Sequence, residues 1–226
     1  MLLPAELPGS FHYNSCGLHA RIFYKLEAEI TVPGLLRRNL HSETFELKLL
    51  QFPSLQVMPL QVIRELPVSS LLCLAQGNIQ LAVSLDKNIY SPADTVCLKL
   101  ALDQSQCFQS IQSLQVRLIR VLRFGNAQTS QNRSESRVLD LSKSRNLKRE
   151  TGNDIIYRRT SLKVPANTPL SLKGRLIECQ YELEFRIKID WSWSVSSRIV
   201  IPVEETHLPQ YSNIPARRIT EESPIK

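Results

Sequence analysis

Apolar and polar residues alternate along most of the chain with a period of two, which is typical of β-strands with one buried and one solvated face. The clearest example is residues 77–102, where two alternating runs flank the polar break Tyr90-Ser91-Pro92-Ala93-Asp94. Similar runs occupy residues 18–32, 43–50, 113–124, 181–191 and 197–203. No stretch shows a convincing helical period. The pattern therefore predicts an all-β fold, an antiparallel β-sandwich of immunoglobulin-like type.

Three of these runs predict more than the presence of a strand. The run at 18–32 predicts one long strand. The run at 113–124 is partly apolar on both faces, interrupted by Arg120, which predicts a strand covered on both sides. The alternation at 181–191 puts Trp191 on the apolar face, so we expect it to pack in the core or at a domain edge. Trp193 lies beyond that strand, and binding a partner is the alternative role for it.

Three segments lack the alternation. Residues 52–76 collect prolines, which favours an extended segment and predicts a linker. Residues 125–150 are polar and basic and predict a long hairpin or a loop, with a short strand at 138–141. Residues 206–226 have no periodicity and carry three prolines, which predicts a disordered tail.

Composition and motifs argue against catalysis. The 226 residues have a formal net charge of +7, which favours acidic partners such as anionic lipid or phosphorylated segments. The five cysteines form no C-x-x-C pair, so we expect reduced thiols in the cytoplasm, with no disulfide framework, metal or cofactor. No H-E-x-x-H, G-x-S-x-G, P-loop or G-x-G-x-x-G motif is present, and the four histidines lie far apart. The sequence predicts a protein that is not an enzyme.

Four stretches, in order along the chain, resemble arrestins, in particular the α-arrestins (arrestin-domain-containing proteins). Residues 77–102 are similar to the first hairpin of the arrestin C-terminal domain, whose turn reads Y-x-P-G-[ED]-x-[IV], with Ala93 here in place of Gly. Residues 162–185 and 199–203 are similar to later strands of that domain. The opening LPAELPGSFHYNSCGLHARIFYKLEAEI is similar to an element in the middle of the N-domain.

The resemblance implies one complete sandwich and part of a second. Residues 1–70 correspond to a partial arrestin N-domain, 71–205 to the C-domain and 206–226 to the disordered tail. Because the earlier N-domain strands are missing, we expect the chain to be a fragment or a short isoform. We also expect residues 77–205 to unfold cooperatively alone, unlike residues 1–75.

Basic residues near the 125–150 segment are candidates for binding an anionic partner, since arginine pairs bidentately with phosphate oxygens. A solvated, charged loop is the alternative. Nucleic acid is not expected as a partner, because no aromatic residues are interleaved for base stacking. The candidates are Lys143, Arg145, Lys148, Arg149, Arg158 and Arg159.

The tail contains Leu208-Pro209-Gln210-Tyr211, which resembles the L-P-x-Y variant of the P-P-x-Y motif. α-Arrestins use that motif to recruit WW-domain ubiquitin ligases of the HECT class. A proline in extended geometry followed two residues later by tyrosine suits a WW groove. Leu208, Pro209 and Tyr211 are therefore candidate WW-binding residues, although a four-residue match also occurs by chance.

By resemblance, the protein is a non-enzymatic adaptor that links membrane cargo to endocytic trafficking and ubiquitination machinery. Its expected partners are the tails of membrane-protein cargo, WW-domain ligases and an anionic lipid surface. Its expected location is the cytoplasm, peripheral at the plasma membrane or endosomes. Two alternatives remain: a retromer-type arrestin-like coat subunit in endosomal sorting, or a sandwich fragment with only partner-binding capacity.

Overall fold

The computed structural model describes residues 7–15, 18–30, 40–41, 44–49, 56–70, 74–125, 132–145, 147 and 154–205. Every regular secondary-structure element within these ranges is a β-strand, and all pairs of neighbouring strands are antiparallel. The predicted all-β antiparallel fold is therefore confirmed. The strands are β1 (Phe11–Ser15), β2 (Leu18–Ile22), β3 (Tyr24–Leu26), β4 (Glu29–Ile30), β5 (Leu40–His41), β6 (Phe45–Leu47), β7 (Leu60–Ser69), β8 (Ala75–Leu85), β9 (Thr95–Asp103), β10 (Ile111–Gly125), β11 (Asn132–Arg145), β12 (Ile155–Lys163), β13 (Leu172–Lys173), β14 (Ile177–Ile189) and β15 (Val195–Ile201).

Two sheets form the body of the protein. The five-stranded sheet has the order β11-β10-β14-β13, and β15 pairs with β14 as well. The four-stranded sheet has the order β12-β9-β8-β7. Their facing sides enclose one core, because successive side chains of a strand point to opposite faces and the apolar set points inward. Fully buried members of this core include Ile79, Leu81, Leu98, Leu102, Leu118, Leu122, Tyr181 and Phe185.

The turn between β8 and β9 is the element that carried the family resemblance. The amide of Asp94 donates to the carbonyl of Ser91 at 3.0 Å, and Ala93 has a φ of 72°. Proline at the second position and positive φ at the third define a type II turn. Glycine adopts a positive φ without a steric penalty. Ala93 has the same backbone conformation that glycine provides in the family motif.

The hairpin β1–β2 packs on one end of the core. Phe11 and Tyr13 are both buried. The Tyr13 ring lies 4.9 Å from the guanidinium of Arg120, whose Nη2 donates to the tyrosine hydroxyl at 3.2 Å. That hydroxyl donates in turn to Glu135 at 2.8 Å. The arginine that interrupts the apolar face of β10 is therefore stacked and hydrogen-bonded, which offsets the cost of burying its charge.

The prediction of one long strand at 18–32 is wrong. Within the described residues the segment is divided into β2, β3 and β4, and each piece has a different partner. β2 pairs with β1, β3 with β6, and β4 with β5. Alternation reports which side of a strand is apolar, but it does not report where the strand changes partner, so the breaks were invisible in the sequence.

The predicted linker is in part a strand. β7 pairs with β8 along its whole length and forms one edge of the four-stranded sheet. Leu66 and Val68 are buried in the core, whereas Arg64, in the same inward-facing row, is exposed. The predicted boundary at residue 71 thus falls between two strands of one sheet. The division into domains at 1–70 and 71–205 stays a prediction.

Residues 125 and 132–145 of the polar segment belong to a long hairpin, which was one of the two structures predicted for it. β10 and β11 pair from Ser113 and Arg145 to Gly125 and Asn132, with an irregularity after Leu118. β11 is much longer than the predicted four-residue strand. Both faces of β10 are covered near its middle, where Ile119 and Val121 on the outer face are buried along with the core-facing residues.

Candidate interaction surface

The described members of the predicted basic cluster lie along the seam where the edges of the two sheets meet. At this seam the hydroxyl of Thr160 in β12 donates to the hydroxyl of Ser142 in β11 at 2.7 Å. The amide of Lys163 donates to the carboxylate of Asp140 at 2.6 Å, so β11 and β12 run antiparallel across the seam. The basic residues on these two strands are Lys143, Arg145, Arg158 and Arg159, all exposed. Lys148 and Arg149 lie outside the described residues.

The seam divides the basic residues between faces. Lys143 and Arg145 pair with Gln115 and Ser113 and belong to the outer side of the five-stranded sheet. Arg159 pairs with Lys99 on the outer side of the four-stranded sheet. Arg158 occupies the inward-facing row of β12, and its Nη1 donates to the carbonyl of the preceding residue at 2.8 Å. In the described part of the chain, none of the four forms an ion pair.

The outer side of the five-stranded sheet carries a concentration of positive charge, which we call the cationic face. Cross-strand registers place its side chains in rows, and the three rows nearest the β14–β15 turn hold six basic residues and one carboxylate. The formal charge of these rows is therefore +5, from six positive charges and one negative charge. The rows are Arg145–Ser113–Lys188, Lys143–Gln115–Arg186–Ser196 and Leu141–Arg117–Glu184–Arg198.

The one carboxylate in these rows, Glu184, holds three arginines together. Its side chain is only 2% exposed and accepts hydrogen bonds from Arg198 at 3.0 Å, from Arg186 at 3.1 Å, and from Arg117. Burial by itself raises the pKa of Glu184, but hydrogen bonds from Arg198 and Arg186 and the charge of Arg117 outweigh burial. The pKa therefore lies below its ordinary value, and Glu184 is an ionised anchor for the arginines.

Four large apolar side chains are exposed at one end of the sandwich, and we call them the apolar tip. Leu74 is 61% exposed, Phe108 84%, Trp191 80% and Trp193 61%. They come from three connections that are hydrogen-bonded to neighbouring backbone at this end. The amide of Trp193 donates to the carbonyl of Ser69 at 3.3 Å, and that of Phe108 to the carbonyl of Gln76 at 3.1 Å. Exposed apolar groups collected in one place indicate a contact surface.

The prediction that Trp191 packs in the core or at a domain edge is wrong. β14 ends at Ile189, and Trp191 has a φ of 51°, which turns the chain and ends the alternation. The W-S-W repeat gave no signal of this turn, because two residues that are two positions apart share one face when a strand continues through them. The partner-binding role considered for Trp193 stays a prediction.

Thiol and metal chemistry find little support in the described residues. Cys97, Cys107 and Cys179 are free, and burial raises the pKa of the Cys179 thiol to about 11, which makes it a poor nucleophile at neutral pH. Within the described ranges no group of His, Cys, Asp and Glu side chains could hold a metal ion. The same ranges contain no helix long and apolar enough to cross a membrane. The Leu208–Tyr211 motif lies outside them.

The fold gives the structural class of the protein, and a family comparison then gives its family. Two antiparallel sheets packed face to face make an antiparallel β-sandwich whose chemistry is on its surface, as in many binding modules. The family model for "Arrestin (or S-antigen), C-terminal domain" matches residues 75–208, which is more than half of the chain. The chain belongs to this arrestin family. Membership suggests an adaptor role, since proteins of the arrestin fold are generally non-enzymatic scaffolds.

Two other comparisons add little. No curated protein matches the chain. Among solved structures, the chain is similar to the sporulation control protein Spo0M from Bacillus subtilis, with 13% sequence identity and a TM-score of 0.40. The similarity covers 56% of this chain and 49% of the Spo0M chain, so it spans about half the length of each.

Proposed function

We propose that this protein is an arrestin-like adaptor of the α-arrestin type that works at the cytoplasmic surface of the plasma membrane or of endosomes. It links membrane-protein cargo to endocytic trafficking and ubiquitination machinery and performs no covalent chemistry. The observation that carries the proposal is the apolar tip beside the cationic face, because together they form a surface suited to an anionic bilayer.

The tip supplies the apolar part of membrane binding. Tryptophan favours the interfacial region of a bilayer, where its ring meets lipid and its indole N–H stays wet, and phenylalanine adds an apolar ring that inserts beside it. Trp191, Trp193 and Phe108 lie on connections rather than on strands, so they enter the interface without disturbing a sheet.

The cationic face supplies the electrostatic part. Its first row, Arg145–Ser113–Lys188, lies next to the tip, since Lys188 comes two residues before the turn that carries Trp191. Each basic side chain near an anionic membrane contributes about 1 kcal/mol. Insertion of the apolar tip and attraction of the cationic face each contribute modestly to the binding free energy, and together they give reversible peripheral binding.

The tail would supply the link to ubiquitination. Leu208, Pro209 and Tyr211 lie beyond the described residues, which end at residue 205, and match the P-P-x-Y pattern in two of its three defining positions. A peptide of residues 204–215 should bind at least one domain of a WW-domain panel. Absence of binding at high micromolar concentration would remove ligase recruitment from the proposal and leave the membrane function intact.

The membrane function can be tested by co-sedimentation of the full chain with vesicles of phosphatidylcholine, with and without phosphatidylserine. We expect binding that requires the anionic lipid and weakens as salt rises. The double variant Trp191→Ser, Trp193→Ser should lose at least about tenfold in affinity, because burial of one aromatic ring is worth about 1.5–3 kcal/mol.

A matched control is Leu176→Ser, which removes another exposed apolar side chain, 48% exposed, from the connection between β13 and β14. This variant should bind vesicles as the parent chain does. Equal losses in the control and the tip variant would contradict membrane docking through the tip. Lys188→Glu should lower binding to anionic vesicles only.

A further inference from the structure

The outer side of the four-stranded sheet carries a second surface, with charges of opposite sign at its two ends; we call it the dipolar face. Cross-strand registers give three successive rows that differ in chemistry. The first row is cationic, the second apolar and the third acidic. From first to third they are Gln61–Ser84–Lys99–Arg159, Ile63–Ala82–Ala101–Tyr157 and Glu65–Gln80–Asp103–Ile155.

The shape of the dipolar face differs from row to row. In the middle row, Ile63 and Tyr157 are each 64% exposed and flank the small Ala82 and Ala101, so the row forms a trough between two walls. The cationic end opens into a groove of about 720 Å³ lined in part by Lys99 and Arg159. The acidic end has a cleft of about 70 Å³ whose lining includes Glu65 and Asp103.

The charged side chains at both ends of the dipolar face can pair with a ligand. In the part of the chain that the structure describes, Lys99, Arg159, Glu65 and Asp103 form no ion pair. The Asp103 carboxylate accepts a local hydrogen bond from the amide of Ser105 at 2.8 Å. A ligand for this face would carry a positive charge, an apolar group and a negative charge in line.

The chain contains such a segment. In Arg217-Arg218-Ile219-Thr220-Glu221, the side chains of residues 217, 219 and 221 share one side when the backbone is extended. Two residues of extended chain advance by about 6.6 Å, which equals the spacing between successive rows of a sheet face. The basic, apolar and acidic side chains of residues 217, 219 and 221 are therefore spaced as the acidic, apolar and cationic rows of the sheet face are.

We propose that residues 217–221 bind the dipolar face of their own chain, with Arg217 at the acidic row, Ile219 in the trough and Glu221 at the cationic row. The segment then runs along β8 in the same direction as that strand. Its position covers the trough and pairs all four of the free charges.

The connection is long enough. The described chain leaves the sandwich beside the β8–β9 turn, where the hydroxyl of Ser91 donates to the carbonyl of Glu204 at 3.0 Å. From that end of β8, the acidic row lies about 20 Å away, and the eleven residues 206–216 span up to about 36 Å when extended. The tail can therefore reach the acidic row and return along the face.

The test uses the methyl signals of Ala82 and Ala101 in the NMR spectrum of the full chain, because both methyl groups line the trough. The exposed Ala75 at the start of β8 lies outside the three rows and serves as the reference. The undocked state is given by a full-length variant in which Arg217, Ile219 and Glu221 are all replaced by Ser. We expect this variant to shift the Ala82 and Ala101 signals and to leave that of Ala75 in place.

Charge reversal on the face makes the test specific. Lys99→Glu should move both signals toward their undocked positions, and Glu221→Lys added to it should move them back. Lys173→Glu, an exposed lysine on β13 of the other sheet, should change neither signal. Identical Ala82 and Ala101 signals in the parent and the undocked variant would overturn the proposal. Shifts that disappear on dilution would also overturn it, because they would show binding between copies.

Discussion

Leu66 tests whether residues 60–69 are a strand of the sandwich or the linker that their prolines suggested. Leu66 is 7% exposed and faces the core from β7, at the edge of the four-stranded sheet. Leu66→Ala should lower the free energy of unfolding by about 2–4 kcal/mol, since the edge position lets neighbours close part of the cavity. For a chain of this length, that corresponds to a fall in Tm of about 5–12 °C.

Urea unfolding followed by far-ultraviolet circular dichroism measures the effect, because both tryptophans are exposed and report poorly on the core. The matched control is Val200→Ala on β15, an edge strand of the other sheet, whose side chain is 55% exposed. The control should stay within about 0.5 kcal/mol of the parent, with an unchanged m value in both variants. Equal and small effects at the two positions would refute the pairing of β7 with β8 and restore the linker.

Two further predictions concern Glu184 and Ala93. Glu184→Gln should cost about 1–2 kcal/mol at neutral pH, since hydrogen bonds to a buried charge are lost while the arginines stay partly hydrated. Because the folded pKa of Glu184 lies below the ordinary 4.5, the difference from the parent should shrink as pH falls below that value. Glu178→Gln, which breaks a more exposed pair with Arg123, should cost less at neutral pH. Ala93→Gly should raise stability by about 0.5–1 kcal/mol by relieving the positive φ of 72°, whereas Ala166→Gly, in a turn without positive φ, should lower it. Thermal melts compare each pair; a pH-independent loss at Glu184, or a loss at Ala93, would contradict the respective argument.

Much of the sandwich could be predicted from the sequence because strand alternation is a local signal. The run at 113–124 lies within β10, and the runs at 77–102 and 181–191 coincide with β8, β9 and β14 except for the turn at 86–94 and the last two residues, 190–191. The apolar side chains of these strands form the core. The turn at Ser91–Asp94 was also predictable, since proline at its second position fixes the backbone there, whereas the positive φ of Ala93 was not.

The errors in the early strands share one physical cause, which is that the partner of a strand is not encoded in the pattern of that strand alone. Pro59 and Pro67 made 52–76 look like a linker, but an edge strand tolerates proline where a central strand does not. The breaks within 18–30 follow from a change of partner rather than from any local break in pattern.

The surfaces were harder to predict than the core. The basic run at 143–149 was visible, but the rows that join Lys143 to Arg186, and Arg159 to Lys99, depend on cross-strand register. The apolar tip combines residues from three connections that are up to 119 positions apart, from Leu74 to Trp193. Sequence spacing cannot report such neighbours.

The two outermost strands of the four-stranded sheet share a feature that bears on how copies of the chain behave at high concentration. Arg64 in β7 and Arg158 in β12 each occupy an inward-facing row position and remain exposed at opposite edges. A further strand that paired with either edge and extended the core would trap a guanidinium against apolar side chains, which is costly. Each edge therefore rejects an added strand, and the sheet is protected against growth into edge-to-edge polymers.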